Sequence, residues 1–65
     1  MTRQQIIKAI GNPDLHLDSY AGYFVFRYDR PERFEEESVY VNRLNHMSLE
    51  QWIATGHNFL KTIGV

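Results

Sequence analysis

Apolar residues recur every three or four positions in two stretches, one at each end of the chain, and alternate with polar ones between them. Near the start, Ile6, Ile7 and Ile10 share one face of a short helix predicted over Arg3–Ile10. Near the end, Leu49, Trp52, Ile53, Gly56, Phe59, Leu60 and Ile63 form the apolar stripe of a longer helix predicted over Leu49–Ile63. Both helices begin with the same grammar. In "MTRQQI" Thr2 stands at the N-cap with Gln5 three residues on, and in "MSLEQW" Ser48 and Gln51 take those roles. Each is a capping box, flanked by a staple pair, Met1 with Ile6 and Met47 with Trp52. Gly11 and Pro13 end the first helix and Gly64 ends the second. The two segments share a structural signal, and the residues after them show no further repeat.

The middle of the chain reads as β-structure. "YAGYFVFRYD" alternates Tyr23, Val25 and Arg27 with Phe24, Phe26 and Tyr28. "DRPER" is turn material, and "FEEESVYVNRL" is a second strand in which Val39 and Val41 face away from Tyr40. "GNPDLHLDSYAG" reads as a loop that Leu15 and Leu17 pin to the core. The expected fold is therefore α+β: a single αββα domain over residues 1–65, with two helices covering one face of an antiparallel two-stranded hairpin. Either a monomer or a homodimer fits, although Glu35–Glu37 would resist close edge pairing.

Composition sharpens this picture. A domain of about 60 residues buries only roughly 60% of its unfolded surface and needs reinforcement. The chain has no cysteine, so disulfides and thiolate metal sites are excluded. Nine of its residues are Phe, Tyr or Trp, enough for a dense core with some left for an outer surface. A formal net charge of −1 favours neither nucleic-acid binding nor DNA mimicry. No leader pattern and no long apolar run is evident, which points to a cytoplasmic protein with no membrane contact.

Candidate chemistry is sparse. His16, His46 and His57 stand at no recognisable ligand spacing, and a zinc site wants three or four converging ligands. No nucleophile–base order, paired-acid motif or phosphate loop is present, so the expectation is no catalysis and no cofactor. The tip "RYDRPERFEEE" sets Arg27, Arg30 and Arg33 among Asp29, Glu32 and Glu35–Glu37. It serves either to steer a partner or to keep the turn solvated. Tyr20, Tyr23, Tyr28 and Tyr40 divide between core and surface, and those on an open sheet face are candidates for protein binding. With Arg27 or Arg43 they could instead stack on single-stranded nucleic acid, the less favoured reading. Gly56 is expected to let a strand aromatic approach the helix backbone. The connection Asn42–Asn45, with Asn42 and Arg43, is a second candidate contact. The interaction candidates are thus Tyr23, Arg27, Tyr40, Asn42, Arg43, Arg30 and Arg33.

The stretches "GYFVFRYD" (22–29) and "ESVYVNRLNHMSLEQWI" (37–53) together resemble a group of small bacteriophage and prophage proteins. In these an aromatic strand with a GYF-like start leads into a segment like "SVYV-RLN-L-L-QW". The likeness spans under half of the chain. It implies a phage origin and the fold, and carries over no catalytic residue. The functional expectation is a small phage accessory protein that binds a host or phage protein.

Overall fold

The computed structural model describes all residues, 1–65. Helix α1 spans Arg3–Ile10, strands β1, β2 and β3 span Leu15–Tyr20, Tyr23–Arg30 and Arg33–Val39, and helix α2 spans Leu49–Thr62 after a 3-10 turn at Leu44–His46. The α+β class and helix α1 are as the sequence predicts, and α2 stops one residue short of its expected end. Both capping boxes form. Thr2 Oγ1 accepts from the Gln5 N–H at 3.1 Å and Gln5 Oε1 from the Thr2 N–H at 2.8 Å, and Ser48 and Gln51 repeat both bonds at the same distances. The staples differ: Met47 packs on the core, whereas Met1 is half exposed. At the far end of α2, Gly64 N–H bonds Lys61 C=O and Val65 N–H bonds Leu60 C=O, the paired bonds of a Schellman cap.

The sheet corrects the expected two-stranded hairpin. It has three antiparallel strands in the order β1-β2-β3, so the order of elements is αβββα. The segment read as a loop contains β1, paired with β2 through Leu15↔Tyr28, Leu17↔Phe26 and Tyr20↔Tyr23. Its alternation rests on two leucines alone, since His16, Asp18 and Ser19 face away or stay polar. Leu15 and Leu17 are nevertheless buried, as expected of a segment pinned to the core. Ala21 and Gly22 close the β1–β2 hairpin, with Gly22 at φ 84°, a conformation that costs a side-chain-bearing residue about 1–2 kcal/mol. Strand β3 is also shorter than expected. Val41 N–H turns back to Val39 C=O at 3.0 Å, a three-residue turn that takes Tyr40 and Val41 out of the ladder.

Both helices lie on one face of the sheet. The core joins Ile6 of α1, Trp52, Phe59 and Leu60 of α2, and Leu15, Leu17, Phe24, Phe26 and Tyr28 of β1 and β2. Trp52 is the hub. It is fully buried, meets Phe24 and Phe26 edge-on at 5.5 and 6.0 Å, and donates its Nε1–H to Leu44 C=O at 2.7 Å. That bond fastens the 3-10 turn to α2. Gly56 admits Phe26 and Ile10 to the helix backbone, as the sequence suggested for a strand aromatic. Leu49, assigned to the buried stripe, is 41% exposed at the start of α2. On β3 the core-side positions are Arg33, Glu35, Glu37 and Val39, and only Val39 packs on the core. The helices thus cover β1 and β2 and leave β3 as a charged edge.

Candidate interaction surface

The face of the sheet away from the helices is uncovered, and the register orders it in rows. At one end Tyr20 and Tyr23 stand opposite each other. Next come Asp18, Val25 and Ser38, then His16, Arg27 and Glu36, and finally Asp29 with Phe34. Tyr20 and Tyr23 stack with centroids 5.2 Å apart and planes 11° from parallel. Tyr40, just beyond β3, closes on Tyr23 at 5.9 Å. Tyr20 and Tyr40 are 52% and 80% exposed, so the group presents aromatic area to solvent instead of filling the core. Tyr28, by contrast, is buried on the core face. Val25 is buried although it belongs to the outer face and lies outside the helix-covered core.

Of the predicted contact residues, the structure brings Tyr23, Tyr40 and Asn42 together. Asn42 Oδ1 lies 3.7 Å from where a Cβ on Gly22 would stand, beside the β1–β2 turn that carries Tyr20 and Tyr23. Arg43 is exposed and makes no ion pair. Arg30 and Arg33 lie at the opposite end, roughly 23 Å away along β2 at about 3.3 Å per residue. Tyr20, weighed with the other tyrosines, stands outside the final contact set, and the segment that carries it was read as a loop. The signal that could have found it is "YAGY", two tyrosines flanking a two-residue turn.

The arginines of the tip are committed within the chain. Arg27 Nε donates to Asp18 Oδ2 at 2.7 Å and its Nη1 to Asp29 Oδ2 at 2.9 Å. Arg30 joins Glu32 at 2.7 Å and Asp14 at 2.9 Å, tying the end of β2 to the turn before β1. Arg33 pairs with Glu35 and donates to Ile63 C=O at the C-terminal end of α2, where a cation complements the helix dipole. These contacts favour the solvated, self-neutralised reading of the tip over the steering one. The hydrogen bond from Arg27, opposed by partial burial, holds the Asp18 carboxyl below the usual aspartate range.

A pH dependence follows from that depression. A carboxyl whose folded pKa lies below its unfolded value contributes stability above the unfolded value, about 3.9 for Asp, and loses it as pH falls through the folded pKa. Asp18→Asn is therefore expected to be less stable than the parent at pH 7, by under about 1 kcal/mol for a partly exposed pair. The deficit should shrink toward zero as pH falls below the unfolded value and through the lowered folded pKa. Urea unfolding at a series of pH values checks this, and a deficit independent of pH would assign the loss to packing.

No three His, Cys, Asp or Glu side chains converge in a way that could hold a metal ion, and His16, His46 and His57 are all exposed. No helix is long and apolar enough to cross a membrane. Comparison of the chain with protein-family models, curated proteins and solved structures finds no match.

Proposed function

We propose that this domain is a small phage-encoded accessory protein that acts without catalysis in the host-cell cytoplasm, by binding a host or phage protein through the tyrosine end of its open sheet face. The phage origin rests on the resemblance of residues 22–29 and 37–53. The binding mode rests on one observation, the Tyr20–Tyr23 stack with Tyr40 tilted against it, on a face that no helix covers. Tyrosine is enriched at binding hot spots because a large amphipathic ring is immobilised at little entropic cost. Here the rings are already ordered against one another, which lowers the cost of association further. Its role would be to modulate or inhibit that host or phage protein, a defence system among the candidates.

Arg27 weighs against nucleic acid as the ligand. Its guanidinium is shared between two carboxylates, whereas a strand-binding platform needs free cations along the phosphates. The decisive comparison is capture from infected-host lysate by the parent and by a Tyr20→Ala/Tyr40→Ala variant. Both side chains are exposed, so the fold should persist. Loss of one hot-spot ring at about 2 kcal/mol is worth about thirtyfold, so loss of both should cut retention of the true partner several hundredfold. Identical sets retained by the two proteins would sink the proposal. Sedimentation over a wide concentration range, run on both, tells a homodimer through this face from a heterologous partner.

A further inference from the structure

The two edges of the sheet differ. The β1 edge is closed: Leu15 and Leu17 are buried, Leu15 N–H bonds Asn12 C=O, and Leu17 C=O accepts from Arg3 Nη1. The β3 edge is open. Asp29 N–H donates to Asp14 C=O at 3.1 Å, so the odd-numbered residues of β2 bond β1 and its even-numbered residues bond β3. Those even residues stand opposite Arg33, Glu35, Glu37 and Val39. Phe34, Glu36 and Ser38 therefore turn their N–H and C=O groups away from the sheet. All three residues are exposed, Phe34 at 56%, and no turn, cap or side-chain hydrogen bond reaches their main-chain groups. After β3 the chain turns toward Gly22, beside which Asn42 lies, and does not run back along this edge.

Charge decides what the β3 edge admits. Glu36 and Glu37 point to opposite faces of the strand, and neither makes an ion pair. The cross-strand neighbour of Glu36 is Arg27, which is committed to Asp18 and Asp29, and that of Glu37 is the apolar Phe26. Glu35 alone of the three acids is held, by Arg33. A second copy of the chain fits poorly. Antiparallel pairing along the whole edge centres on Glu36, setting Glu36 against Glu36 and Glu35 against Glu37, and like charges directly opposite are destabilising. Pairing β3 with β1 of another copy meets the closed edge.

We infer that the β3 edge takes an extended basic segment of another protein as an antiparallel fourth strand, with two consecutive lysines or arginines opposite Glu37 and Glu36 and an aromatic residue opposite Phe34. Strand addition draws affinity from main-chain bonds and specificity from side chains. The free groups of Phe34, Glu36 and Ser38 supply those bonds. Consecutive residues of a strand point to opposite faces, so adjacent cations reach one carboxylate on each face of the sheet. Phe34 lies on the outer face two residues before Glu36, where an aromatic partner directly across makes a favourable cross-strand pair. The acids that repel a second copy thus select for a basic strand, and they draw it in from a distance as well. This surface is independent of the tyrosine stack, because it works through main-chain groups and carboxylates.

The probe is an end-blocked peptide, Thr-Val-Lys-Lys-Val-Tyr-Val-Thr, titrated into the 15N-labelled domain, with a counterpart carrying glutamate for both lysines as control. The expected result is saturable binding of the lysine peptide alone, with the Glu36 and Ser38 amides shifted and their exchange with solvent slowed at least about tenfold. The Glu35 and Glu37 amides, already bonded to β2, are the internal reference. Glu36→Gln/Glu37→Gln should weaken binding at least about fivefold, as should raising salt to roughly 0.5 M. Both side chains are exposed, so this variant should fold. Ser38→Pro keeps every charge and removes one edge N–H, a change that an edge strand accepts where that N–H faces solvent. It too should weaken binding at least about fivefold. Failure to bind, equal binding of the glutamate peptide, or binding that leaves Glu36 and Ser38 unchanged overturns the inference. So does protection of these amides with rising protein concentration alone, because the occupant would then be a second copy. Each of these outcomes leaves the Tyr20/Tyr40 capture result unaffected.

Discussion

Replacing Trp52 with alanine is expected to remove about 3–5 kcal/mol of stability, which for a chain this short is most or all of it. Large-to-small changes of a buried Trp cost that much through lost transfer energy and the cavity left behind. The total available to 65 residues, at roughly 0.05–0.15 kcal/mol each, is only about 3–10 kcal/mol. Three features place Trp52 at the upper end of the range. It is fully buried. It touches Phe24 and Phe26 edge-on, pairs worth about 0.5–1.5 kcal/mol beyond their area. It also holds Leu44 C=O, which its removal leaves without that donor. Trp52→Phe separates these contributions, since it keeps most of the ring contact and loses the N–H. It should fold with a deficit of about 1–3 kcal/mol. Urea unfolding followed by circular dichroism reads both variants. A Trp52→Ala protein within about 0.5 kcal/mol of the parent would remove Trp52 from the centre of the core, since that is the size of an ordinary surface change.

Gly56→Val should be the next most damaging change, at about 2–3 kcal/mol, through overpacking where Trp52→Ala acts by emptying. A Cβ at position 56 would stand 2.3 Å from Ile10 Cδ1 and 3.3 Å from both Ile10 Cγ1 and Phe26 Cζ. The two neighbours differ in how they can respond. Ile10 Cδ1 is the tip of a flexible, half-buried side chain at the end of α1 and can rotate away. Phe26 is fully buried, packed against Trp52 and Phe59, and cannot. Gly56→Ala therefore sets a helix-propensity gain of about 1 kcal/mol against a larger packing cost, for a net loss of about 1 kcal/mol. Ile10→Val deletes the methyl that makes the closest approach. The double variant Gly56→Ala/Ile10→Val should thus be more stable than the sum of its parts by about 1 kcal/mol. A strictly additive cycle would mean that Ile10 does not contact the helix at Gly56.

The helices were legible because their signals are local. A capping box and an apolar period of three to four involve residues within one or two turns of each other. Thr2 with Gln5 and Ser48 with Gln51 carry that information whatever the rest of the chain does. The aromatic strand and its charged turn were legible for the same reason, and so was the division of Phe24, Phe26 and Tyr28 from Tyr23, Val25 and Arg27 onto opposite faces. Strand β1 was not. Its sequence offers two leucines in alternation, and its stability comes from a ladder to β2 that no window of a few residues contains.

That single omission explains most of what was missed at the candidate surface. Tyr20 belongs to β1. The second carboxylate that neutralises Arg27, beside its sequence neighbour Asp29, is Asp18 of β1, a pairing that only the β1–β2 ladder creates. Tyr23 and Tyr40 were both singled out, yet they are 17 residues apart, and their contact follows from the β2–β3 register and the turn at Val39. The sequence by itself determined the α+β class, the two helices with their caps, the central hairpin and the aromatic core, because short-range geometry and side-chain periodicity dictate them. Only the tertiary structure decided the third strand, the outer rows of the sheet, and which charges are spent on one another, because those depend on pairing between residues that the chain itself does not place side by side.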